Sequence, residues 1–414
     1  MVFLPARLLG REIHMDDIGP KVMLPDELVG RSRSLMAMVR DQAEEAERNR
    51  CISADTIKAM RTAGLFRSLQ PTKYGGFEHD FTTLTDIAVE IGRGCGSAAW
   101  ICSLAIGNQW VVACFPEQAQ DEIWGENPDA ITFGVFTVRA TAEMVQGGYR
   151  ISGSWSFASG CDFGEWFFMG ALLPPNDEHE KPYPAMILVR TSDYTIDDDW
   201  YTAGLAATGS KKIVCDNIFV PTHRCITFAD FVLGTTPGSK LHDNPMYAIP
   251  AMALMPFALC APALGALQGA IEDFISNVGT RDTLSGFVAS GTKTGEFATV
   301  QSRVGRATAA LEGAKALVHR DLADTHELAN QGEPISVDRR IRNRLSQAYA
   351  SELAVQGIEI MYRATGGAGL YLTERTQRAW RDIHAMSHHA SLNWDAVSSM
   401  YGQHALGYEP KGRY

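Results

Sequence analysis

The spacing of hydrophobic positions divides the chain into three zones. In residues 26–124 the apolar residues recur every three to four positions, which is typical of amphipathic helices. In residues 131–231 they form short runs of Val, Ile, Phe, Thr and Trp divided by turn residues, which is typical of strands. From about residue 244 the helical spacing returns and holds almost to the C-terminus. This order, without alternation of strands and helices, predicts an α+β fold.

Local signals sharpen these zones. Ser53 has the character of a helix N-cap. Gly147-Gly148 between two β-type runs predicts a hairpin and hence an antiparallel sheet, and Pro221 ends the last strand because proline cannot donate to a ladder. The helical stretches 307–330 and 337–364 are long enough to pack against each other in a C-terminal four-helix bundle. The predicted units are a leader over 1–25, a helical domain over 26–125, an antiparallel β domain over 126–235 and a helical bundle over 236–414.

Composition and charge exclude several classes of partner. The 414 residues carry a formal net charge of -11 and show no basic stripe, so a nucleic-acid partner is not expected. The eight cysteines contain no Cys-x-x-Cys pair and lie mostly in apolar surroundings. They are typical of reduced, buried thiols, and they predict a cytoplasmic protein.

One uncharged stretch, residues 246–271, is long enough to cross a bilayer. It contains Pro250, Pro256 and Pro262 among small residues and a polar Gln268. That composition favours a tightly packed core helix over a membrane span. The N-terminal residues lack the charged and long apolar regions of a signal peptide. The sequence therefore predicts a protein without a membrane segment.

Residues 153–160 and the C-terminal histidines are the segments that suggest chemistry. The first follows the hairpin, and on pattern alone it is a strand that ends in a turn at Ser159-Gly160. In the second, His384, His388 and His389 follow Arg381-Asp382. His384 and His388 have the spacing of metal ligands on a helix, but no Glu-x-x-His motif accompanies them, so no metal site is predicted. Imidazoles here suit proton transfer near neutral pH.

These segments, in this order, resemble the acyl-CoA dehydrogenase superfamily. The superfamily's C-terminal frame of Gly-Gly, Arg and Arg-Asp is matched by Gly366-Gly367, Arg378 and Arg381-Asp382. Its dehydrogenases then carry a catalytic glutamate that this chain lacks. The segment is instead similar to that of two-component flavin monooxygenases that hydroxylate phenols and related aromatics, in which a histidine follows the aspartate by seven residues; that residue is His389.

The resemblance implies a fold and a reaction. The fold is acyl-CoA dehydrogenase-like, with an N-terminal helical domain, a middle antiparallel β domain and a C-terminal four-helix bundle. The reaction is hydroxylation of a phenolic or indolic substrate by molecular oxygen, through a flavin C4a-hydroperoxide formed from FADH2 or FMNH2. The implied partners are a separate NAD(P)H-flavin reductase and further copies of the chain in a homotetramer.

The resemblance also implies the residues of the flavin site. Phe157 takes the position of an aromatic residue that covers one face of the isoalloxazine. Ser159 takes that of a hydroxyl that hydrogen-bonds to flavin N5, which makes it a catalytic residue. The other implied cofactor contacts are Gly160, Arg281, Gly366 and Gly367.

On the substrate side the resemblance implies an acid/base role for His389, with His388 beside it. Relatives commonly place a histidine in the helix that follows Ser97-x-x-Trp100, whereas this chain has Asn108 with Trp110 nearby. The Asn108 amide can hydrogen-bond to a hydroxyl, an amide or an indole, but it supplies no cation. Asn108, Trp110 and His388 are therefore the predicted substrate contacts.

Three alternatives stay open on the sequence. An acyl-CoA dehydrogenase could carry its base on another helix, at Glu272 or Glu352. The same scaffold could oxidise an amine or a sulfur atom instead of a ring carbon. A flavin-free helical binding protein would use no cofactor at all.

Overall fold

The computed structural model describes residues 23–278 and 293–414. Most of the predicted leader and Arg281 lie outside the described residues. The N-terminal zone is helical, as predicted, and Ser53 caps its second helix by accepting a hydrogen bond from the amide of Thr56. Its helices are α1 (Pro25–Asn49), α2 (Ala54–Thr62), α3 (Phe81–Gly92), α4 (Gly96–Ala113) and α5 (Glu117–Gln120).

A seven-stranded sheet follows in the described part of the chain. The strands are β1 (Thr132–Val145), β2 (Gly148–Trp155), β3 (Trp166–Leu173), β4 (Tyr183–Arg190), β5 (Thr195–Asp197), β6 (Lys212–Pro221) and β7 (Cys225–Thr227). Their spatial order is β5-β6-β2-β1-β3-β4-β7. The Gly147-Gly148 hairpin and the strand end at Pro221 are confirmed.

The prediction of a purely antiparallel sheet is wrong, because β1 and β3 pair in parallel. The hairpin places β2 on one edge of β1, and the connection 156–165 then carries the chain back to the other edge, where β3 runs in the direction of β1. Sequence reasoning recognised the hairpin but not this crossover. The crossover contains Phe157, Ser159 and Gly160, three of the predicted cofactor contacts.

The C-terminal zone contains the predicted bundle. Helices α7, α8, α9 and α10 pack against one another, and α11 packs on α9. The helices of this zone, with the short α6 before them, are α6 (Phe228–Leu233), α7 (Ala251–Val278), α8 (Ala298–Asn330), α9 (Val337–Thr365), α10 (Arg375–Ser387) and α11 (Trp394–Ala405).

Helix α7 contains most of the uncharged stretch 246–271, for which the sequence favours a core helix over a membrane span. It is long and apolar enough to span a bilayer, but most of its apolar stretch is buried inside the protein. It packs on α3 and α4 as well as on the bundle. Gly265 of α7 lies so close to α3 that an added Cβ would stand 2.4 Å from the carbonyl oxygen of Val89. The core helix predicted from the composition is therefore present.

Candidate functional site

The β2–β3 connection has an unusual backbone where the sequence predicts flavin contacts. Phe157 has a φ of 65°, which residues other than glycine rarely adopt. Gly160 has a φ of 77°, and a Cβ there would lie 2.4 Å from the ring of Phe133. Only glycine fits this turn, so Gly160 has a clear structural role in placing Ser159. Such strain is most often retained at functional sites.

Ser159 is buried and lies in a network of polar groups. Its hydroxyl is 2.7 Å from the hydroxyl of Ser210, which in turn is 2.7 Å from that of Thr208. The indole N–H of Trp100, on α4, donates to the Ser159 oxygen at 3.3 Å. The site thus joins the β domain to the N-terminal helices.

Phe157 projects from the same turn. Its side chain is 71% exposed, although it is a large hydrophobic residue. Its ring packs edge-on against Trp200 at a ring distance of 5.8 Å. The ring is otherwise accessible to a ligand, as the predicted flavin contact requires.

His389 follows the end of α10 and faces Trp100 across the site, with 5.8 Å between ring centroids. It caps the short turn 390–392 by accepting a hydrogen bond at Nδ1 from the amide of Ser391, at 3.2 Å. An acceptor at Nδ1 places the proton of the neutral ring on Nε2. His389 therefore presents an N–H donor in this arrangement.

The surroundings of His389 favour the neutral imidazole. Burial among the neighbouring elements, and then the positive charge of Arg344, lower the pKa of His389 to about 4. The residue is nevertheless solvent-exposed, and water at the ring limits this decrease in pKa. The direction of the shift favours the neutral ring at pH 7.

Arg344 is a buried cation that sequence reasoning missed. It lies on α9 and donates to the carbonyl of Ser391 at 2.6 Å and to Gln347 at 2.8 Å. Among the residues that the structure describes, no carboxylate forms an ion pair with it. In the sequence it is one of many arginines on a helix rich in charge, a pattern that usually marks a solvated face. Through Ser391 it orients the turn that carries His389.

Asp382 connects three parts of the protein behind this site. Its carboxylate accepts the amide N–H of Leu205 at 2.7 Å and the hydroxyl of Ser97 at 3.2 Å. Burial raises the pKa of Asp382 to about 6. The Arg-Asp pair found in the sequence thus has a structural purpose, since it holds the Leu205–Ser210 connection against α4 and α10.

The three predicted substrate contacts differ in their surroundings. Asn108 is buried on α4, and its Nδ2 has no hydrogen-bond partner within the described ranges. Trp110 is also buried, but its N–H donates to the carbonyl of Met246 and its ring packs on Phe81 and Phe231, so it belongs to the core and offers no free N–H to a substrate. His388 is exposed, and its Nδ1–H donates to the carbonyl of His384.

The glycine pair Gly366-Gly367 lies far along α9 from the turn that carries His389. Arg344, beside the His389 turn, lies near the start of α9, and Gly366 follows its other end. A rise of 1.5 Å per residue over that interval corresponds to about 33 Å. Both glycines are exposed, and an added Cβ would meet nothing within 4 Å. Within the described chain, the glycine pair is therefore not brought beside His389.

The structure also bears on one alternative catalytic base. Glu272 accepts hydrogen bonds from Arg93 at 3.1 Å and from Gln268 at 2.9 Å. Its carboxylate is thereby held in an ion pair with Arg93. Both oxygens of Asp382, the carboxylate behind the site, also accept hydrogen bonds.

Comparison with known proteins identifies the family. Residues 32–126 match the acyl-CoA dehydrogenase N-terminal domain, and residues 257–394 match the acyl-CoA dehydrogenase C-terminal domain. The chain is 38% identical to the oxygenase component of the FADH2-dependent resorcinol hydroxylase of Rhizobium sp. (strain MTP-10005), over 94% of this chain and 96% of that protein.

Solved structures give the same result. The crystal structure of 3-HSA hydroxylase from Rhodococcus sp. RHA1 superposes with a TM-score of 0.88 at 29% identity, covering 94% of this chain and 98% of that one. XiaF from Streptomyces sp., in complex with FADH2 and glycerol, superposes with a TM-score of 0.87 at 27% identity, covering 94% and 97%. This chain belongs to the acyl-CoA dehydrogenase superfamily, in the branch formed by the oxygenase components of two-component flavin-dependent monooxygenases.

Proposed function

We propose that this protein hydroxylates a small phenol or dihydroxybenzene, with reduced flavin supplied by a separate reductase. The observation that carries the proposal is the meeting of Ser159, Trp100 and His389 at one site, where a neutral imidazole stands in place of a dehydrogenase's carboxylate. An imidazole with an accessible N–H suits an oxygen substituent on an aromatic ring better than it suits removal of an unactivated C–H proton.

The residues present fit a reduced flavin. Ser159 has hydrogen-bonding capacity left after its two protein contacts, and Phe157 offers an uncovered aromatic face two residues away. Arg344 adds a buried positive charge close to the site, which suits a cofactor or substrate that carries negative charge. When bound, reduced flavin would react with molecular oxygen and provide the oxygen atom for transfer.

His389 would hold the substrate oxygen. In the described tautomer its Nε2–H donates to the phenolic oxygen and stabilises negative charge there. Uptake of the phenolic proton at Nε2 requires the other tautomer, which breaks the contact with the amide of Ser391. That step gives an imidazolium beside a phenolate, and the phenolate would offset the effect of burial and of Arg344 on the cation. The ring can therefore serve as donor and as base in turn, which is the acid/base role that the sequence predicts.

The relatives support a hydroxylated benzene ring as the substrate. The resorcinol hydroxylase of Rhizobium sp. is named for a dihydroxybenzene. In this chain the unpartnered amide of Asn108 offers a buried donor for a second hydroxyl group. Resorcinol is thus the first substrate to test. The next are p-hydroxyphenylacetate and indole-3-acetate, because less similar relatives are named for these two compounds.

A homotetramer in the cytoplasm completes the proposal. The Gly366-Gly367 pair is followed by Leu370, Tyr371 and Leu372, which are 75%, 70% and 69% exposed. A contiguous exposed apolar run of this kind favours contact with another chain. In a tetramer, the glycine pair of one copy would approach the flavin of a neighbour, which would reconcile it with its distance from His389.

The decisive experiment is the coupling of oxygen consumption to product. Purified protein receives chemically reduced FAD or FMN, resorcinol and oxygen, and hydroxylated product and hydrogen peroxide are both measured. His389→Ala is expected to consume oxygen but to release peroxide in place of product. The matched control is His404→Ala, on α11, whose imidazole is paired with Asp338 away from the site.

Two results would contradict the proposal. Unchanged coupling in His389→Ala would remove the imidazole from the reaction. Turnover of acyl-CoAs with an artificial electron acceptor, without turnover of any phenol, would restore the dehydrogenase alternative.

A further inference from the structure

Three buried hydroxyl groups form a chain that ends at a backbone carbonyl. Ser159, Ser210 and Thr208 are each at least nine-tenths buried. The hydroxyl distances from Ser159 to Ser210 and from Ser210 to Thr208 are both 2.7 Å. The Thr208 hydroxyl lies 2.8 Å from the carbonyl oxygen of Leu205.

The carbonyl at the end of this chain fixes the direction of every proton in it. The Leu205 carbonyl oxygen also accepts from the indole N–H of Trp200 and from the amide of Thr208, both at 3.1 Å, and the Thr208 hydroxyl makes the shortest of the three contacts. A carbonyl oxygen only accepts, so the hydroxyl at 2.8 Å donates its single proton to Leu205. Thr208 then has no proton left for Ser210, so Ser210 must donate to Thr208. By the same reasoning Ser159 must donate to Ser210.

The remaining capacity of Ser159 follows from this count. A serine hydroxyl has one proton and two lone pairs. The proton is used on Ser210, and one lone pair accepts from the indole N–H of Trp100. One lone pair remains, so Ser159 can accept a further hydrogen bond but cannot donate one.

We infer that Thr208 and Ser210 are positioning residues that hold Ser159 as an acceptor, and that this polarity lets the site distinguish reduced from oxidised flavin. Reduced flavin carries a proton on N5 and can donate to Ser159. Oxidised flavin has a lone pair at N5, which would face the lone pair of Ser159 in a buried place. The inference rests on the proposed function, because it assumes that Ser159 meets flavin N5.

This arrangement suits an enzyme that receives reduced flavin from a partner. Discrimination at N5 favours the incoming reduced form and helps to release the oxidised form after the reaction. A neutral hydrogen bond made in one redox state and replaced by a repulsive contact in the other corresponds to roughly a three- to tenfold difference in affinity.

The test compares dissociation constants for the two redox states of the same flavin. Oxidised FAD and FMN are titrated in air, and the reduced forms are titrated anaerobically, both without substrate. The wild-type protein is expected to bind the reduced form more tightly. In Ser210→Ala the Ser159 proton loses its acceptor and becomes free to donate to oxidised N5, so the oxidised-to-reduced ratio of dissociation constants should fall roughly three- to tenfold.

A second variant tests the far end of the chain without touching Ser159 or its neighbour. Thr208→Val keeps the shape of the side chain but removes its hydroxyl, so Ser210 can turn its proton to Ser159 and the ratio should again fall. Thr208→Ser restores the hydroxyl and should restore the wild-type ratio. Thr202→Val is the matched control, since the Thr202 hydroxyl donates to the carbonyl of Gly204 in the same connection but outside the chain.

The outcomes separate this inference from the proposed function. An unchanged ratio in both Ser210→Ala and Thr208→Val, with melting temperatures like that of the wild type, would overturn the inference while hydroxylation of resorcinol could stand. A fall in Thr208→Ser as large as in Thr208→Val would overturn it as well. Failure of the wild-type protein to bind either flavin state would overturn the proposed function and the inference together.

Discussion

The indole of Trp100 donates its N–H to the hydroxyl of Ser159 at 3.3 Å. The same ring also stands 5.8 Å from the imidazole of His389. Trp100 is nearly fully buried on α4, so its position is fixed by the N-terminal helical domain. One side chain therefore sets the distance between the hydroxyl on the β domain and the imidazole that follows the bundle helix α10.

Replacement of Trp100 by phenylalanine should separate its two roles. Trp100→Phe keeps an aromatic ring against His389 but removes the N–H that holds the Ser159 hydroxyl in position. Because Ser159 is then less well oriented toward N5, we expect about fivefold weaker binding of reduced flavin. Trp100→Ala should in addition lower the free energy of unfolding by about 3–5 kcal/mol, because a buried aromatic side chain is lost. Flavin titration and urea unfolding measure the two effects. Wild-type flavin affinity in Trp100→Phe would show that Ser159 does not depend on the indole.

The lowered pKa of His389 predicts a wide range of pH in which coupling is constant. Because burial and Arg344 disfavour the imidazolium, the neutral ring should persist as the pH falls from about 8 to below about 6.5, the usual pKa of a histidine. Arg344→Gln removes the like charge and should move the acid limit upward, but by less than the whole shift, since burial is the larger cause. The ratio of product to oxygen consumed, measured with chemically reduced flavin, reports this limit without the reductase. An acid limit at the same pH in both proteins would refute the role of Arg344.

Much of the fold could be predicted because it depends on local pattern. Helical spacing, the Gly147-Gly148 turn and the uncharged α7 stretch each determine structure within a few residues of themselves. The parallel pairing of β1 and β3 could not be predicted in this way. It depends on where the chain goes after Trp155, and nothing in that connection signals a crossover.

The site shows the same division. Ser159 and His389 were found because they occupy positions in recognisable segments, and the structure brings both beside Trp100. Arg344 was not found, because its importance comes from burial without a carboxylate partner. Burial of a charged residue on a helix arises from tertiary packing, which spacing along one helix does not reveal.

Asp382 should make stability depend on pH in a direction opposite to that of most carboxylates. Its pKa in the folded protein is raised from 3.8 to about 6, so the folded state binds the proton more tightly than the unfolded state. Its stabilising contribution is therefore full below about pH 4 and is lost as the pH rises through about 6.

Asp382→Asn should isolate this effect, because asparagine keeps an acceptor for the amide of Leu205 but does not ionise. The free energy of unfolding of the variant minus that of the wild type should increase between about pH 4 and 7. It should reach on the order of 3 kcal/mol, at 1.36 kcal/mol per pKa unit. Urea unfolding at a series of pH values measures the difference. Parallel curves for the two proteins would mean that the Asp382 carboxyl ionises as it does in water.

Asn108 offers a test in which stability and substrate binding should change in opposite directions. Its buried Nδ2 has no partner in the described part of the protein, and an unsatisfied buried donor costs about 1–3 kcal/mol. Asn108→Leu has a similar volume and removes that donor, so the free energy of unfolding should rise by about 1 kcal/mol. If Asn108 holds a substrate hydroxyl, the KM for resorcinol should rise while kcat changes less.

Ser103→Ala, on another part of α4, is the control. The Ser103 hydroxyl donates to the carbonyl of Ala258, so its loss should lower the free energy of unfolding and leave KM unchanged. If Asn108→Leu is stabilised but keeps the wild-type KM, Asn108 does not contact the substrate, and His389 is the residue that holds the substrate oxygen.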